Sequence, residues 1–398
     1  MSTTSFESIV GSENVQRSEG DAIDGVPVEA SVRPGSPAEV AACLARARDD
    51  RIAVVPSGAG TKLDWANPLD AKRVVRLDLR RLRDASLDPD EGIASVGAGL
   101  AVEELSRAAS ERGKRVLCDA SHSAATLGGT FASDALAADA SLDRRFCYEV
   151  LGVGAALANG TLSFAGGKVV KNVTGFDLVR LYAGSFGTLC VVTEFVLRLR
   201  PLPERRQVTV LEPAGLDAAL AAAHQVRLEG EGPEGVAILP GPSGPRLLCL
   251  LEGADADVAY RVELGPGEPG ADEDWEPVQR ALAEEGSAAC RLRLAARPSD
   301  AGALASAVAD VAGADALRLL LPRLGIALAD VDETAAAGLF ETAASQGWAL
   351  RIERAPLEVR RRLDVFGPEP ATLPLMRSLK QRFDPDRILS PGRFVGGL

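Results

Sequence analysis

Three glycine-rich regions of this chain combine bare backbone with hydroxyl and cationic side chains, a mixture suited to binding an oxyanion. The first is 56–62 (PSGAGTK), the second is 125–133 (ATLGGTFAS), and the third joins 166–178 (GGKVVKNVTGFDL) to 184–194 (GSFGTLCVVTE). Glycine lets backbone N–H groups converge on a phosphate without a Cβ in the way. Three such regions upstream of one domain boundary indicate a large cofactor that carries phosphate.

The spacing of these residues excludes two common nucleotide-binding signatures. Leu63 stands where the third glycine of a Gly-x-Gly-x-x-Gly motif would follow Gly58 and Gly60. A P-loop ending at Gly167-Lys168 would need glycine at 162 and serine or threonine at 169, where the chain has Leu162 and Val169. The sequence therefore predicts neither nucleoside-triphosphate hydrolysis nor an ordinary nicotinamide-binding domain.

The elements that must hold these regions follow from hydrophobic patterns and turn signals. Ser36 and Pro37 predict the start of a helix over 36–50. A buried strand at 52–55 leads into the first glycine-rich region, and Asn159-Gly160 predicts a hairpin turn after a strand at 150–158. Further strands are predicted at 74–79, 93–96, 161–164 and 190–200, and further helices at 101–112 and 177–182.

Pro201-Leu202-Pro203 ends the last of these strands and predicts a domain boundary. An α+β region follows, and a last helix is predicted over 374–383. The predicted strands of the α+β region are 207–211, 236–239, 247–251, 316–321 and 349–353, and its predicted helices are 215–226, 299–311 and 334–345.

Taken together, the glycine-rich motifs resemble the FAD-binding domain of the vanillyl-alcohol oxidase type, also called the p-cresol methylhydroxylase (PCMH) type. Within that superfamily, 166–177 and 184–194 are most similar to FAD-binding subunits of bacterial glycolate oxidases, as is the tail at 383–393. The resemblance covers 50–200 and 374–394. It differs in detail, because Cys190 and Ser390 stand where such sequences often carry glycine and asparagine.

The resemblance implies an α+β fold with three parts. These are a two-subdomain PCMH-type FAD-binding domain at 1–204, an α+β cap domain with an antiparallel sheet and helices at 205–372, and a C-terminal segment at 373–398. The segment would return to the FAD domain through 390–393. The implied cofactor is FAD, expected to be non-covalent because the first glycine-rich region has no histidine, cysteine or tyrosine.

The resemblance also implies roles for individual residues. One side of the pyrophosphate would be held by Ser57, Gly58, Ala59, Gly60 and Thr61. The other side and the ribityl chain would be lined by His122, Ala125, Thr126, Gly128, Gly129, Ala132 and Ser133. Gly187 and Val192 would contact the adenosine end. For the second region a tight helix start is an equally good interpretation, and Lys168 and Lys171 are either phosphate partners or turn residues.

The composition of the chain limits its expected partners and its expected location in the cell. The net charge of −12 disfavours binding to nucleic acid. The six cysteines contain no Cys-x-x-Cys pair, which predicts reduced buried thiols and excludes an iron–sulfur cluster in this chain. With neither a signal peptide nor a long apolar run, we expect a cytoplasmic protein, and peripheral attachment to the inner face of the membrane through partners stays open.

The expected function is the FAD-binding subunit of a glycolate oxidase complex, which oxidises glycolate or a related 2-hydroxy acid. The only histidines, His122 and His224, are too few for a metal site that orients a carboxylate, so we expect no metal and assign no catalytic residue. The expected partners are a paralogous FAD-linked subunit and an iron–sulfur subunit. Two alternatives stay open: a self-sufficient FAD-linked enzyme whose clamp comes from Arg291, Arg293, Arg351 or Arg354, and a scaffold without catalysis.

Overall fold

The computed structural model describes residues 4–17, 20–118, 122–136, 145–168, 175–228, 232–241, 243–283 and 288–398. They form two compact units. The first takes the described residues within 1–135, 146–201 and 369–398, and the second takes those within 136–145 and 202–368. No helix in the described ranges is long and apolar enough to cross a membrane.

The first unit contains two principal sheets and a small strand pair. Its helices before the boundary are α1 (Thr4–Val10), α2 (Pro37–Asp49), α3 (Val102–Ser110), α4 (Leu127–Ser133), α5 (Phe146–Glu149) and α6 (Leu178–Tyr182). Its strands are β1 (Val15–Arg17), β2 (Ala22–Ile23), β3 (Val26–Val32), β4 (Ala53–Ser57), β5 (Val74–Asp78), β6 (Ala85–Asp88), β7 (Ile93–Gly97), β8 (Lys114–Arg115), β9 (Val150–Ala156), β10 (Leu162–Gly166), β11 (Val191–Arg198) and β12 (Arg200–Pro201).

The first sheet has the order β1-β3-β5-β4, with β2 paired to β3, and it is parallel across β3, β5 and β4. The second sheet is antiparallel in the order β10-β9-β11-β7-β6, and β8 pairs with β12. Helix α2 covers the first sheet through Val40 and Leu44. Helices α3 and α4 cover the second sheet through residues such as Leu105 and Phe131. The strand ends that hold the glycine-rich regions are therefore fixed by two separate apolar cores.

The second unit is built on one antiparallel sheet of eight described strands in the order β16-β13-β15-β14-β18-β19-β17-β20. These strands are β13 (Arg205–Leu211), β14 (Gly235–Leu239), β15 (Arg246–Gly253), β16 (Glu268–Gly270), β17 (Cys290–Ala295), β18 (Leu317–Leu321), β19 (Ile326–Val331) and β20 (Ala349–Arg354). Its helices are α7 (Leu216–Leu228), α8 (Asp255–Leu264), α9 (Glu276–Leu282), α10 (Ala301–Ala312), α11 (Glu333–Gln346) and α12 (Leu357–Arg362).

Both faces of this sheet are buried, which explains the continuous apolar runs of its strands. Alternate residues of β15 contribute to different cores, Leu247 and Cys249 to one and Leu248 and Leu250 to the other. The prediction of an antiparallel sheet with helices after the boundary is confirmed. The chain then returns to the first unit and forms α13 (Leu373–Phe383).

Local predictions hold where a cap or turn residue marks the element. Ser36 accepts a hydrogen bond from the Glu39 N–H at the start of α2, and Asp177 caps α6 in the same way. The region 125–133 is not a loop, because most of it forms α4; the tight helix start is the interpretation that the structure supports. In the third region, 169–174 with Lys171 lie outside the described residues, while Lys168 is exposed.

Candidate functional site

The first unit contains a cleft at which four segments of the chain meet. They are the loop after β4, the start of α4, the loop before β11, and the C-terminal tail. The predicted site residues that line it are Ser57, Gly58, Ala59, Gly60, Thr61, Thr126, Gly128, Gly129, Ala132, Ser133, Gly187 and Val192. Its lining also includes residues to which the sequence assigned no individual contact with the cofactor, among them Pro56, Leu63, Ala98, Phe186, Ser390 and Arg393.

The loop after β4 offers unused backbone donors. Strand β4 ends at Ser57, whose carbonyl accepts from the Leu79 N–H at 2.9 Å. In the part of the chain that the structure describes, the N–H groups of 58–61 donate to no acceptor. Gly60 has a φ of +83°, a conformation that favours glycine. Such a run of free N–H groups is a binding place for an anion.

Arg76 supports this loop from β5. Its Nε donates to the Ser57 Oγ at 2.9 Å, and its Nη2 lies 3.3 Å from the point where a Cβ on Gly60 would stand. Among the described residues, no carboxylate pairs with this guanidinium, whereas the nearby Arg73 pairs with Glu29 at 2.7 Å. Arg76 therefore leaves a net positive charge beside the loop of an otherwise acidic chain.

The start of α4 is different, because its donors are already used. Thr126 is the N-cap and accepts from the Gly129 N–H, while the N–H groups of Leu127 and Gly128 donate to the carbonyls of Leu100 and Ala98. This segment instead contributes a surface that packs closely against the first glycine-rich region. A Cβ on Gly58 would stand 2.0 Å from the Thr126 Oγ1, so the two glycine-rich segments touch directly.

Two of the predicted residues do not line the cleft. His122 is exposed, and its Nδ1 accepts from the Ala124 N–H at 3.1 Å. Ala125 is buried in the turn before α4, where its carbonyl accepts from the Val102 N–H. The turn uses both residues for its own structure, which the sequence pattern could not distinguish from a lining role.

The loop before β11 joins the cleft through two residues with positive φ, Phe186 at 55° and Gly187 at 68°. A Cβ on Gly187 would stand 2.7 Å from the Pro56 Cγ, so only glycine allows this approach. Strand β7 pairs with β11 only from Glu194 onwards. Val192, which pairs with Ala155 of β9, therefore lines the cleft just before β7 joins the other edge of β11.

Cys190 lies in the same lining and is almost fully buried. Burial raises the pKa of its thiol far above the usual range, so the group stays neutral. All six cysteines are buried and free of disulfides. A neutral thiol is a weak nucleophile, so Cys190 acts here as an apolar wall.

A buried ion pair fixes the C-terminal tail against this loop. The Lys380 Nζ donates to the Asp384 carboxylate at 2.7 Å, to the Thr188 carbonyl at 2.8 Å and to the Leu389 carbonyl at 2.9 Å. Burial lowers the pKa of Lys380, and the adjacent Asp384 opposes that shift. Arg393 pairs with Asp24 at 2.7 Å and also donates to the Leu63 carbonyl. The tail is thus a structural wall of the cleft.

The arginines suggested as a substrate clamp are held within the second unit. Arg291 is fully buried and donates to Asp330 at 2.9 Å, and Arg293 pairs with Glu353 at 3.3 Å. Arg354 donates to the Ala288 carbonyl, and Arg351 stacks over Phe366. Because carboxylates compensate the charges of Arg291 and Arg293, these two arginines give no support to that clamp.

Comparison with known proteins agrees with this geometry. Residues 28–166 match the family model described as an FAD binding domain. The chain is 26% identical to glycolate oxidase subunit GlcE of Escherichia coli strain K12 over 361 residues, which is 89% of this chain and 95% of that protein. It is 33% identical over 180 residues to D-lactate dehydrogenase of Archaeoglobus fulgidus, covering 45% of this chain and 40% of that enzyme.

The chain spans 95% of GlcE, but only about half or less of the length of other curated relatives that it matches. The solved structure of p-cresol methylhydroxylase shares the fold, with a TM-score of 0.74 and 16% identity over 98% of this chain and 95% of that one. The predicted PCMH-type fold is confirmed.

The residues of the cleft fit FAD. A diphosphate needs several hydrogen-bond donors, which the free N–H groups of 58–61 provide. The Ser390 Oγ is buried without a hydrogen-bond partner in the described part of the chain and lines the same cleft. FAD is therefore the cofactor that this domain binds. Residues 28–166 thus match an FAD binding domain, and the chain as a whole shares the fold of p-cresol methylhydroxylase.

Proposed function

We propose that this chain is the FAD-binding subunit of a glycolate oxidase complex, which oxidises glycolate or a related 2-hydroxy acid to the 2-oxo acid. The observation that carries the proposal is the similarity to GlcE over 95% of that subunit's length. A match that extends over both units favours a counterpart of the whole subunit over a shared FAD domain alone.

In this reaction the C2–H bond of the hydroxy acid would break with loss of a hydrogen and two electrons, for which bound FAD would supply the acceptor. The O–H bond would break as its proton passes to a base or to water, which leaves the C=O bond of the 2-oxo acid. The roles of the chain's own residues are to bind and orient. The N–H groups of 58–61 and the Arg76 charge hold the diphosphate. Gly128 and Gly187 let the segments that line the cleft pack closely against Ala98 and Pro56. The tail with Ser390 and Arg393 forms one wall of the cleft.

The proposal places the principal substrate site in a paralogous FAD-linked partner. The two histidines of this chain are both exposed, His122 before α4 and His224 on α7, and each belongs to a different unit. An iron–sulfur subunit would take electrons onward, because the cysteines of this chain are scattered and buried. A cytoplasmic location, with any contact to the membrane made through partners, belongs to the same proposal.

A second candidate is a self-sufficient dehydrogenase of D-lactate or another hydroxy acid. The observation that favours it is the 33% identity to D-lactate dehydrogenase, which is higher than the identity to GlcE but covers only 45% of this chain. It requires a base and a carboxylate partner within this chain.

Anaerobic reduction of the purified chain distinguishes these functions. The visible spectrum is recorded after reconstitution with FAD, then after glycolate or D-lactate is added, first without partners and then with the paralogous and iron–sulfur subunits. We expect a yellow protein that is bleached only when the partners are present. Bleaching of the chain alone supports self-sufficiency, and a colourless protein that takes up no FAD contradicts both functions.

Non-covalent attachment of the flavin is also part of the proposal. It is supported by the neutral, buried Cys190 and by a first glycine-rich region without histidine, cysteine or tyrosine. Acid denaturation should leave all flavin in the supernatant. A precipitate that stays yellow would contradict non-covalent attachment.

A further inference from the structure

We propose that Ser390 binds FAD directly, by donating a hydrogen bond from its Oγ, so that the C-terminal tail forms part of the cofactor site. Ser390 lines the cleft and is 1% exposed. Its Oγ has no partner among the described residues and lies 3.6 Å from where a Cβ on Gly187 would stand. The hydroxyl thus lies next to Gly187, which lines the same cleft.

Two energetic costs coincide at this residue. A buried hydroxyl without a partner loses its hydration and gains nothing in return. Ser390 also has a φ of +42°, which a side chain with a Cβ adopts only under strain. Strain and an unsatisfied donor at one residue that faces a ligand cleft are explained if the missing partner is the ligand.

The surrounding backbone prevents Ser390 from relaxing out of this position. Its N–H donates to the Val54 carbonyl at 2.9 Å, and the Val54 N–H donates to the Ile388 carbonyl at 2.7 Å. These two hydrogen bonds therefore hold the tail against β4, the strand that leads into the first glycine-rich region.

Asp384 accepts from the N–H groups of Ile388 and Leu389 at 3.0 and 2.8 Å, and Lys380 ties Asp384 to the Thr188 carbonyl. Lys380 and Asp384 are thus positioning residues for Ser390. The inference extends the site beyond the matched domain, which ends at residue 166. It rests on FAD binding alone and does not depend on the substrate.

The test uses two variants whose effects on folding differ. Ser390→Ala removes the hydroxyl and keeps the strain, whereas Ser390→Gly removes both. The dissociation constant for FAD is measured on the full apoprotein by quenching of flavin fluorescence, and the Tm of the apoprotein by circular dichroism. Both variants should bind FAD about fivefold to tenfold more weakly. The apoprotein of Ser390→Gly should have a Tm equal to or above that of wild type.

Thr209→Val is the matched control. Thr209 is also buried, but it lies on β13 of the second unit, its side chain forms a hydrogen bond with Cys249, and it does not line the cleft. This variant should lower the Tm and leave FAD affinity within twofold.

Equal FAD affinity of wild type and both Ser390 variants overturns the inference. So does a loss of affinity that follows the loss of Tm across all three variants, because that result shows a purely structural role. Binding of FAD by wild type is measured first, so a failed cofactor assignment is distinguished from a failed role for Ser390.

Discussion

The glycine-rich segments at 56–62 and 125–133 look alike in sequence, yet they do opposite things with their backbone. The first leaves the N–H groups of 58–61 without acceptors and has Arg76 beside it. The second uses its N–H groups for a helix start capped by Thr126 and for bonds to Leu100 and Ala98. Glycine serves the first segment by presenting donors and the second by allowing close contact. Glycine content alone therefore does not identify which segment binds charge.

The largest expected effect is that of Gly60→Glu. The new carboxylate would repel the diphosphate and pair with the Arg76 guanidinium, so FAD affinity should fall about 100-fold or more. Equilibrium titration of the apoprotein with FAD measures this. Gly60→Ala is the control, since it shares the strain at φ +83° without the charge and should lose far less affinity. A Gly60→Glu protein that stays fully yellow would contradict the pyrophosphate assignment.

Arg76→Gln tests the charge beside the first segment without changing its backbone. FAD affinity should fall roughly tenfold, and its decrease with added salt should become shallower, because a charge-assisted interaction is lost. Titrations at two salt concentrations measure both effects. Arg73→Gln is the control, as Arg73 pairs with Glu29 instead of supporting the loop. An unchanged salt dependence in Arg76→Gln would show that its charge does not act on the ligand.

Gly129→Ala tests whether the second segment contributes a close-packed surface to the cleft. Its Cβ would stand 3.3 Å from the Thr126 Oγ1, and Gly129 itself lines the cleft. We expect FAD affinity to fall about threefold to fivefold. In the free energy of unfolding, the higher helix propensity of alanine offsets the cost of the tight contact by up to ~1 kcal/mol. A loss as large as that of Gly60→Glu would remove the distinction between the two segments.

Thr126→Ala should have the smallest effect on the ligand. Loss of the N-cap lowers the free energy of unfolding by about 1 kcal/mol, and FAD affinity should stay within about twofold because the hydroxyl is already used by the helix. Urea unfolding of the apoprotein and titration with FAD check the two parts. If affinity fell more than stability, the Thr126 hydroxyl would have to bind the ligand itself.

The sequence was informative where a single residue type determines the local backbone. Ser36, Asp177 and the Asn159-Gly160 turn marked elements that the structure contains, and the predicted strand at 150–158 corresponds to β9. Strands β17 and β19 were not predicted, because Arg291 and Asp330 interrupt their apolar pattern. In the folded sheet those two side chains form a buried pair, which the one-dimensional pattern cannot show.

For the candidate site, the order of glycines, hydroxyls and apolar residues in this chain by itself indicated FAD as the cofactor and most of the segments that form the cleft. Tertiary structure alone decided which backbone donors stay free, since Ala98, Leu100 and Val54 supply the partners from elsewhere in the chain. It also left His122 and Ala125 outside the lining and brought Arg76 beside it. The physical reason is that a hydrogen bond depends on where its partner lies in space, and sequence spacing fixes that only within a turn or a helix.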